Sequence, residues 1–248
     1  FDGHSARRID ELSVTSHWLR YLGAADDVLY EGSFEWRSTS WGTVYRALLA
    51  DFGNERYHLG ETCVGFDQDA DHVELRFVTG RVERADLVVF ADGITSTGRR
   101  RLYPDVRPRY SGYVGWRGTV REDRVSDRAR ALLADSITYS VAPNTHVVMY
   151  TIPGMDGELD YGKRLLNYVW YRNVADGAEL HELTTDIRGF ESPVSLHPGS
   201  VQQRYIDEMR AAAAEQLAPA VAEVIICTEQ PFLQVVSDTR IPGMVDGR

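Results

Sequence analysis

The chain has 248 residues, 43% of them hydrophobic, enough for one large domain or two modest ones with a sizeable core. Its 37 acidic and 27 basic residues give a formal charge of -10, which repels phosphate backbones and anionic membrane surfaces, so neither nucleic acid nor membrane is an expected partner. No apolar run reaches the roughly twenty residues of a membrane span, no basic-then-apolar leader opens the chain, and Cys63 and Cys227 lack CxxC or Cys/His neighbours, so no metal site is expected and a reducing cytoplasm is the expected compartment.

The chain opens on Phe1 and closes on the turn-rich stretch 242–248, and reads as a fragment. Residues 1–40 alternate weakly and suggest short strands, for example Ser16 to Leu22. From Ser40 to Phe52, the apolar positions Trp41, Val44, Tyr45, Leu48 and Phe52 recur at helical spacing behind a Ser/Thr cap, predicting a helix. Cys63–Phe66, His72–Val78 and Val82–Arg84, with Thr79-Gly80-Arg81 between the last two, predict a small β-meander. Asp86 to Ala91 is a continuous apolar run, the pattern of a strand buried on both faces of a parallel sheet. It ends at Asp92-Gly93, after which Thr95, Ser96 and Thr97 offer caps for a short helix that Pro104 and Pro108 confine.

From Tyr110 onward the pattern turns to alternating strands at 112–120, 145–152 and 164–173, which predict an antiparallel sheet. An alanine-rich helix is expected from Val201 to Leu217, ended by Pro219, and a further strand at Phe232–Val236. The expected boundary between the two halves lies near residues 105–110.

The Asp92-Gly93 turn suits a nucleotide, because glycine permits close backbone approach and the carboxylate accepts from sugar or backbone donors; an ordinary turn gives the same pattern. In context, Leu87-Val88-Val89-Phe90-Ala91-Asp92-Gly93-Ile94-Thr95-Ser96-Thr97-Gly98-Arg99 resembles the middle fingerprint of the single-component flavoprotein aromatic hydroxylases, which are FAD-dependent monooxygenases. Tyr110 to Gly118, Leu166 to Val174 and Pro231 to Val235 resemble the branch containing 2,6-dihydroxypyridine 3-hydroxylase. The resemblance covers most of the chain from about Ser40. Two family motifs, an early GxGxxG turn and a late Gly-Asp, are not among its residues.

The resemblance implies an α/β fold of mixed α+β character. A partial Rossmann-like FAD-binding domain with the β-meander would occupy 1–106, an antiparallel-sheet substrate domain 107–236, and a return segment 237–248. It implies FAD as cofactor, NAD(P)H as co-substrate, and molecular oxygen with a small aromatic or N-heteroaromatic ring as reactants. The ring would be hydroxylated through a flavin C4a-hydroperoxide, in a cytoplasmic enzyme for which a homodimer is one assembly to consider.

Asp92 and Gly93 are the implied cofactor contacts. Trp41 stands where many relatives place a cofactor-contacting arginine. Arg164 resembles a position near the flavin ring, where positive charge favours the reduced anionic cofactor. Tyr168 and Trp170 share its strand face by period two, and with Trp116 they are candidates to pack on the substrate. Alternating aromatics also serve plain sheet packing, and Arg164 equally suits a solvated edge. His146, inside an apolar strand, is a candidate base for a substrate hydroxyl or a structural histidine. Arg99-Arg100-Arg101 reads as a solvated face. The alternative to a hydroxylase is a truncated, catalytically inactive flavoprotein-like binding module; a serine hydrolase is disfavoured because Ser96 lacks the G-x-S-x-G elbow.

Overall fold

A computed structural model describes residues 3–247 of the chain. They form two compact units, one of residues 3–51 with 112–236 and one of 52–111 with 237–247.

The larger unit is built on an eight-stranded sheet. It contains β1 (Val14–Leu22), β2 (Val28–Ser38), β6 (Arg109–Arg121), β7 (Ser136–Ala142), β8 (Thr145–Ile152), β9 (Leu165–Asn173), β10 (Ser195–Leu196) and β11 (Phe232–Asp238), in the spatial order β10-β11-β6-β9-β8-β7-β1-β2. The pairs β6–β9, β8–β9, β7–β8 and β1–β2 are antiparallel, while β1 runs parallel to β7. The expected strands at 112–120, 145–152 and 164–173 are the centre of this sheet. β7 and the β1–β7 pairing were not foreseen, nor was the helix α1 (Gly3–Glu11) ahead of the first strand.

One sheet face is packed beneath helices. Along β9, β8 and β6 the residues Tyr168, Trp170, Met149, Val147 and Val114 are fully buried on this face. The helices above are α4 (Asp127–Leu133), α6 (Gln203–Gln216) and α7 (Pro219–Cys227), and their inward residues Ala129, Met209, Ala213, Val221 and Val224 have no exposed surface. Burying this many large apolar side chains stabilises the unit by about 2 kcal/mol for each one. Pro219 does stop α6, and it also opens α7 from its first turn, where a missing N–H costs nothing. Asp26, at the β1–β2 turn with φ of 62°, supplies the acceptor that α7 needs by taking the Ala220 N–H at 2.8 Å.

Helix α2 (Trp41–Phe52) forms as its spacing predicts, with the Ser40 hydroxyl accepting the Thr43 N–H at 3.0 Å. Its buried residues are Thr43 and Ala47, whereas Trp41 and Phe52 are 79% and 52% exposed, so the apolar stripe marks the helix but not its core face.

The smaller unit holds the meander β3 (Cys63–Gln68), β4 (Val73–Phe77) and β5 (Val82–Ala85), turned at Gly80 with φ of 86°, and the short helix α3 (Thr97–Leu102) capped by the Ser96 hydroxyl. The run from Asp86 to Ala91 corrects the expectation of a doubly buried strand. It pairs with no strand among the described residues, and Leu87 and Val89 are 67% and 79% exposed. A continuous apolar run is buried as a strand only where strands flank it on both sides. Phe90 is the member that packs, tilted 4.8 Å from Phe66 and lying so close to α3 that a Cβ on Gly98 would come within 2.3 Å of its ring.

Candidate functional site

In the smaller unit, the Asp92-Gly93 turn sits between that apolar run and α3. Gly93 has φ of 71° in a single turn of 3-10 helix, Gly93–Thr95, and a Cβ there would meet no atom within 4 Å. The Asp92 carboxylate accepts the Thr97 N–H at 2.6 Å. Partial burial pushes the Asp92 carboxyl up, but hydrogen bonds from Ser96 and the Thr97 backbone outweigh it and hold the group below the usual carboxylate range. Beside the turn lies a concavity of about 720 Å³, whose walls include Val89, Phe90, Gly93, Arg99, Tyr103 and Met244. Backbone open at a positive-φ glycine, an ionised carboxylate and an apolar wall together suit a nucleotide cofactor.

In the larger unit, the strand register separates the aromatic residues onto two faces. Tyr168, Trp170 and Trp116 all lie on the helix-covered face, at 0%, 0% and 3% exposure. The Trp170 indole donates to Thr145 Oγ1 at 2.7 Å, and Arg172 stacks 4.8 Å from its ring centroid. Tyr168 rests its hydroxyl against Gly118 and Thr228 without a well-formed hydrogen bond, and burial pushes its phenol up to about 12, opposed in part by Thr228 and Arg210. These three rings are therefore core, which corrects the expectation that they pack on a substrate.

Arg164 is likewise engaged inside the protein. It donates to both Glu122 oxygens, at 3.1 Å and 2.8 Å, and to the Ala134 carbonyl at 3.2 Å. Glu122 has no exposed surface, and Tyr161 covers the guanidinium at 5.4 Å. The expected flavin-side charge is thus neutralised by a buried carboxylate. Trp41 stands at the first turn of α2 and is open to solvent.

The residues at alternate positions occupy the other face. By register, Tyr171 and His146 form one row, Val169, Val148, Tyr139 and Tyr21 a second, and Asn167 with Tyr150 a third. His146 is exposed and packs 5.0 Å from Tyr171, so of the sequence-derived catalytic and substrate candidates it is the one that lies here. Tyr139 stacks on Tyr21 at 5.2 Å. Trp36, Ile137, Tyr139, Val148 and Tyr150 line a concavity of about 440 Å³ on this face, joined by residues 37–39 at the end of β2.

β7 explains why this was missed. Its buried residues are Ser136, Thr138 and Ser140, whereas Ile137, Tyr139 and Val141 face outward. The buried hydroxyls are satisfied inside the protein: Ser136 Oγ shares a 2.7 Å hydrogen bond with Thr138, and Ser140 Oγ accepts the Ala218 N–H at the start of α7. β7 thus turns its hydroxyls inward and its apolar residues to the open face.

No group of three or more His, Cys, Asp or Glu among the described residues could hold a metal ion, and no helix among them is long and apolar enough to cross a membrane.

The chain is 34% identical over 241 residues to 2,6-dihydroxypyridine 3-monooxygenase of Paenarthrobacter nicotinovorans, covering 97% of this chain and 59% of that protein. It is 33% identical over 95 residues to 6-hydroxynicotinate 3-monooxygenase of Bordetella bronchiseptica, covering 38% of this chain and 24% of that one. The solved 2,6-dihydroxypyridine-3-hydroxylase from Arthrobacter nicotinovorans superposes with a TM-score of 0.90 over 97% of this chain and 60% of its own, at 34% identity. A salicylate hydroxylase substrate complex, 19% identical, shares the fold with a TM-score of 0.67 over all of this chain and 62% of its own. The chain thus spans about 60% of the length of the first of these relatives. Residues 110–238, which carry most of the large sheet and its helices, match the family described as FAD binding domain-like, and the chain belongs to that family.

Proposed function

We propose that the protein is an FAD-dependent monooxygenase that hydroxylates an aromatic or N-heteroaromatic ring. The observation that carries this reading is the open sheet face, where Tyr139, Tyr150 and Trp36 border a concavity large enough for one ring on the face opposite the layer of α4, α6 and α7. Flavin, when bound, would supply two-electron redox chemistry, with NAD(P)H as reductant and dioxygen as oxidant, one oxygen atom going to an electron-rich ring and the other to water.

The residues of the turn fit that cofactor. Asp92 offers an ionised acceptor, Gly93 an open backbone approach, and the run 87–91 an apolar wall. Trp41 keeps the place of a cofactor contact at the start of α2, as an aromatic surface in place of a charge.

On the sheet, Val148 and Ile137 exclude water beneath the ring, while Tyr139 and Tyr150 fix its edge. His146 lies two residues from Val148 on the same face, about 7 Å along the strand, where its imidazole receives the proton of a ring hydroxyl. Arg164 acts indirectly, holding the start of β9 through Glu122. The relative's activity on 2,6-dihydroxypyridine makes that ring the first to try. The test is FAD incorporation followed by NAD(P)H oxidation and oxygen uptake with and without 2,6-dihydroxypyridine. Ring-stimulated turnover with one oxygen atom gained by the ring supports the reading. Loaded FAD with turnover indifferent to any ring rejects it and favours a binding module.

A further inference from the structure

His146 is the second residue of β8, directly after the turn Pro143-Asn144, where Asn144 takes φ of 60°. Strand ends fray first, because a terminal pair has neighbours on one side only. The base proposed above therefore stands at the least restrained end of its strand, while proton transfer requires a fixed distance to the ring hydroxyl. A second restraint acts at this point. Thr145 opens β8 and turns its half-buried side chain to the helix-covered face, the side of Val147 and Met149. Its hydroxyl accepts the Trp170 indole N–H at 2.7 Å and donates to the Tyr171 carbonyl at 2.5 Å. Trp170 is a firm anchor, fully buried and stacked by the Arg172 guanidinium at 4.8 Å. Tyr171 is the residue opposite His146 in the ladder, and the two rings lie 5.0 Å apart on the open face.

One hydroxyl thus joins a core ring on one side of the sheet to the backbone of the residue against which the imidazole packs on the other. Tyr171 is held from its far side by Tyr113 of β6, edge-on at 5.7 Å, and it lies over Gly115, where a Cβ would come within 3.6 Å of its ring. The groups facing the imidazole are therefore the Tyr171 phenol from β9, with the Tyr113 phenol behind it, and the apolar side chain of Val141 from β7. A hydroxyl accepts and donates at once, so threonine satisfies the buried indole donor and still binds the carbonyl; valine has the same shape and does neither. We infer that Thr145 is the positioning residue for His146, acting through Tyr171, and that its hydroxyl holds the imidazole where a ring hydroxyl delivers its proton. This rests on the reading of His146 as that base and adds the residue that sets its geometry.

The experiment uses the FAD-loaded protein and reads both geometry and turnover. The imidazole proton signals of His146, identified by their loss in His146→Gln, are followed by NMR; the Tyr171 ring shields them, and Thr145→Val should move them toward the positions of a free histidine. Oxygen uptake stimulated by 2,6-dihydroxypyridine is followed against pH. In Thr145→Val, kcat should fall about ten- to a hundredfold with little change in KM, and the pH limb that His146→Gln abolishes should shift or flatten. Thr145→Ser keeps the hydroxyl and should restore both readouts. Trp170→Phe removes the donor to Thr145 and should move both readouts the same way by less, which keeps the inference testable where Thr145→Val does not fold. Wild-type signals and a wild-type profile in Thr145→Val overturn the inference, while a limb lost in His146→Gln leaves the base reading standing. A fall in kcat that Thr145→Ser fails to rescue also overturns it, since the hydroxyl would not be the cause. A wild-type profile in His146→Gln overturns the base reading and this inference together.

Discussion

Arg164 and Glu122 form a buried ion pair, with side chains 11% and 0% exposed, that joins the end of β6 to the start of β9. The pair is completed rather than isolated: Glu122 also accepts the Gly162 N–H at 2.7 Å, and its own N–H donates to the Arg164 carbonyl at 3.0 Å. Removing one member of such a pair leaves the other charged and dry, which costs more than the pair itself contributes. Glu122→Gln should therefore lower unfolding stability by about 3 kcal/mol, measured by urea denaturation. The double variant Glu122→Gln with Arg164→Met should recover much of that loss. A single variant as stable as the wild type would return Arg164 to the role of a free cofactor-side charge.

Tyr168 provides a pH signature. Its phenol is pushed up to about 12 by burial, from an ordinary value near 10. The folded protein therefore keeps this proton at pH values where the unfolded chain has lost it. The associated stability is fully present below pH 10 and declines as pH rises from 10 to 12, by roughly 2–3 kcal/mol at most. Tyr168→Phe should remove that part of the alkaline decline and cost little at pH 7, since the hydroxyl has no well-formed partner to lose. A Tyr168→Phe variant with normal stability but abolished turnover would overturn its assignment to the core.

The central strands and α2 were legible because their signals are local. β8 and β9 alternate over eight and nine residues, and Ser40 announces α2. Which face of a strand meets the helices is a tertiary fact, and there the residues misled: Tyr168 and Trp170 attract attention by size, yet size is what the core takes. β7 inverts the usual pattern, because Ser136 and Thr138 satisfy one another, Ser136 also reaches the Leu132 and Leu133 carbonyls, and Ser140 takes the N–H of Ala218, which is distant in sequence. The run 86–91 failed for the complementary reason. Its pattern describes a position between two strands, and the described residues provide neither. The Asp92-Gly93 turn was legible because a positive-φ glycine followed by a capping serine is written in adjacent residues.

Asp92 has a dual load. Its carboxylate ties the turn to the first helical N–H of α3, and it directly precedes Gly93, which lines the concavity. Because its carboxyl is held below the usual range, its contribution to the turn is present above that range and is lost as pH falls through the lowered value. Asp92→Ala should lower FAD occupancy, read from the flavin-to-protein absorbance ratio, or slow NAD(P)H-driven flavin reduction in stopped flow. Full occupancy with wild-type reduction would remove Asp92 from the cofactor site. Gly93→Ala, where φ of 71° is the obstacle and space is not, should cost about 1 kcal/mol of local strain without filling the approach.

Gly118 tests the placement of Tyr168 from the opposite strand. A Cβ there would lie 2.5 Å from Thr228 Cγ2 and 2.9 Å from the Tyr168 hydroxyl, both in the packed layer between β6 and α7. Neither neighbour can retreat freely, since Tyr168 is fully buried and Thr228 Oγ1 donates to the Val224 carbonyl at 2.9 Å. Gly118→Ala should therefore destabilise the protein by about 1–3 kcal/mol in thermal or chemical unfolding. Thr228→Ser deletes the nearer methyl while keeping the donor hydroxyl, so adding it to Gly118→Ala should restore part of the loss. The two changes would then be non-additive, as residues in direct contact are. Strict additivity would mean that Gly118 and Thr228 do not face each other, and the helix-covered face of β6 would have to be reassigned.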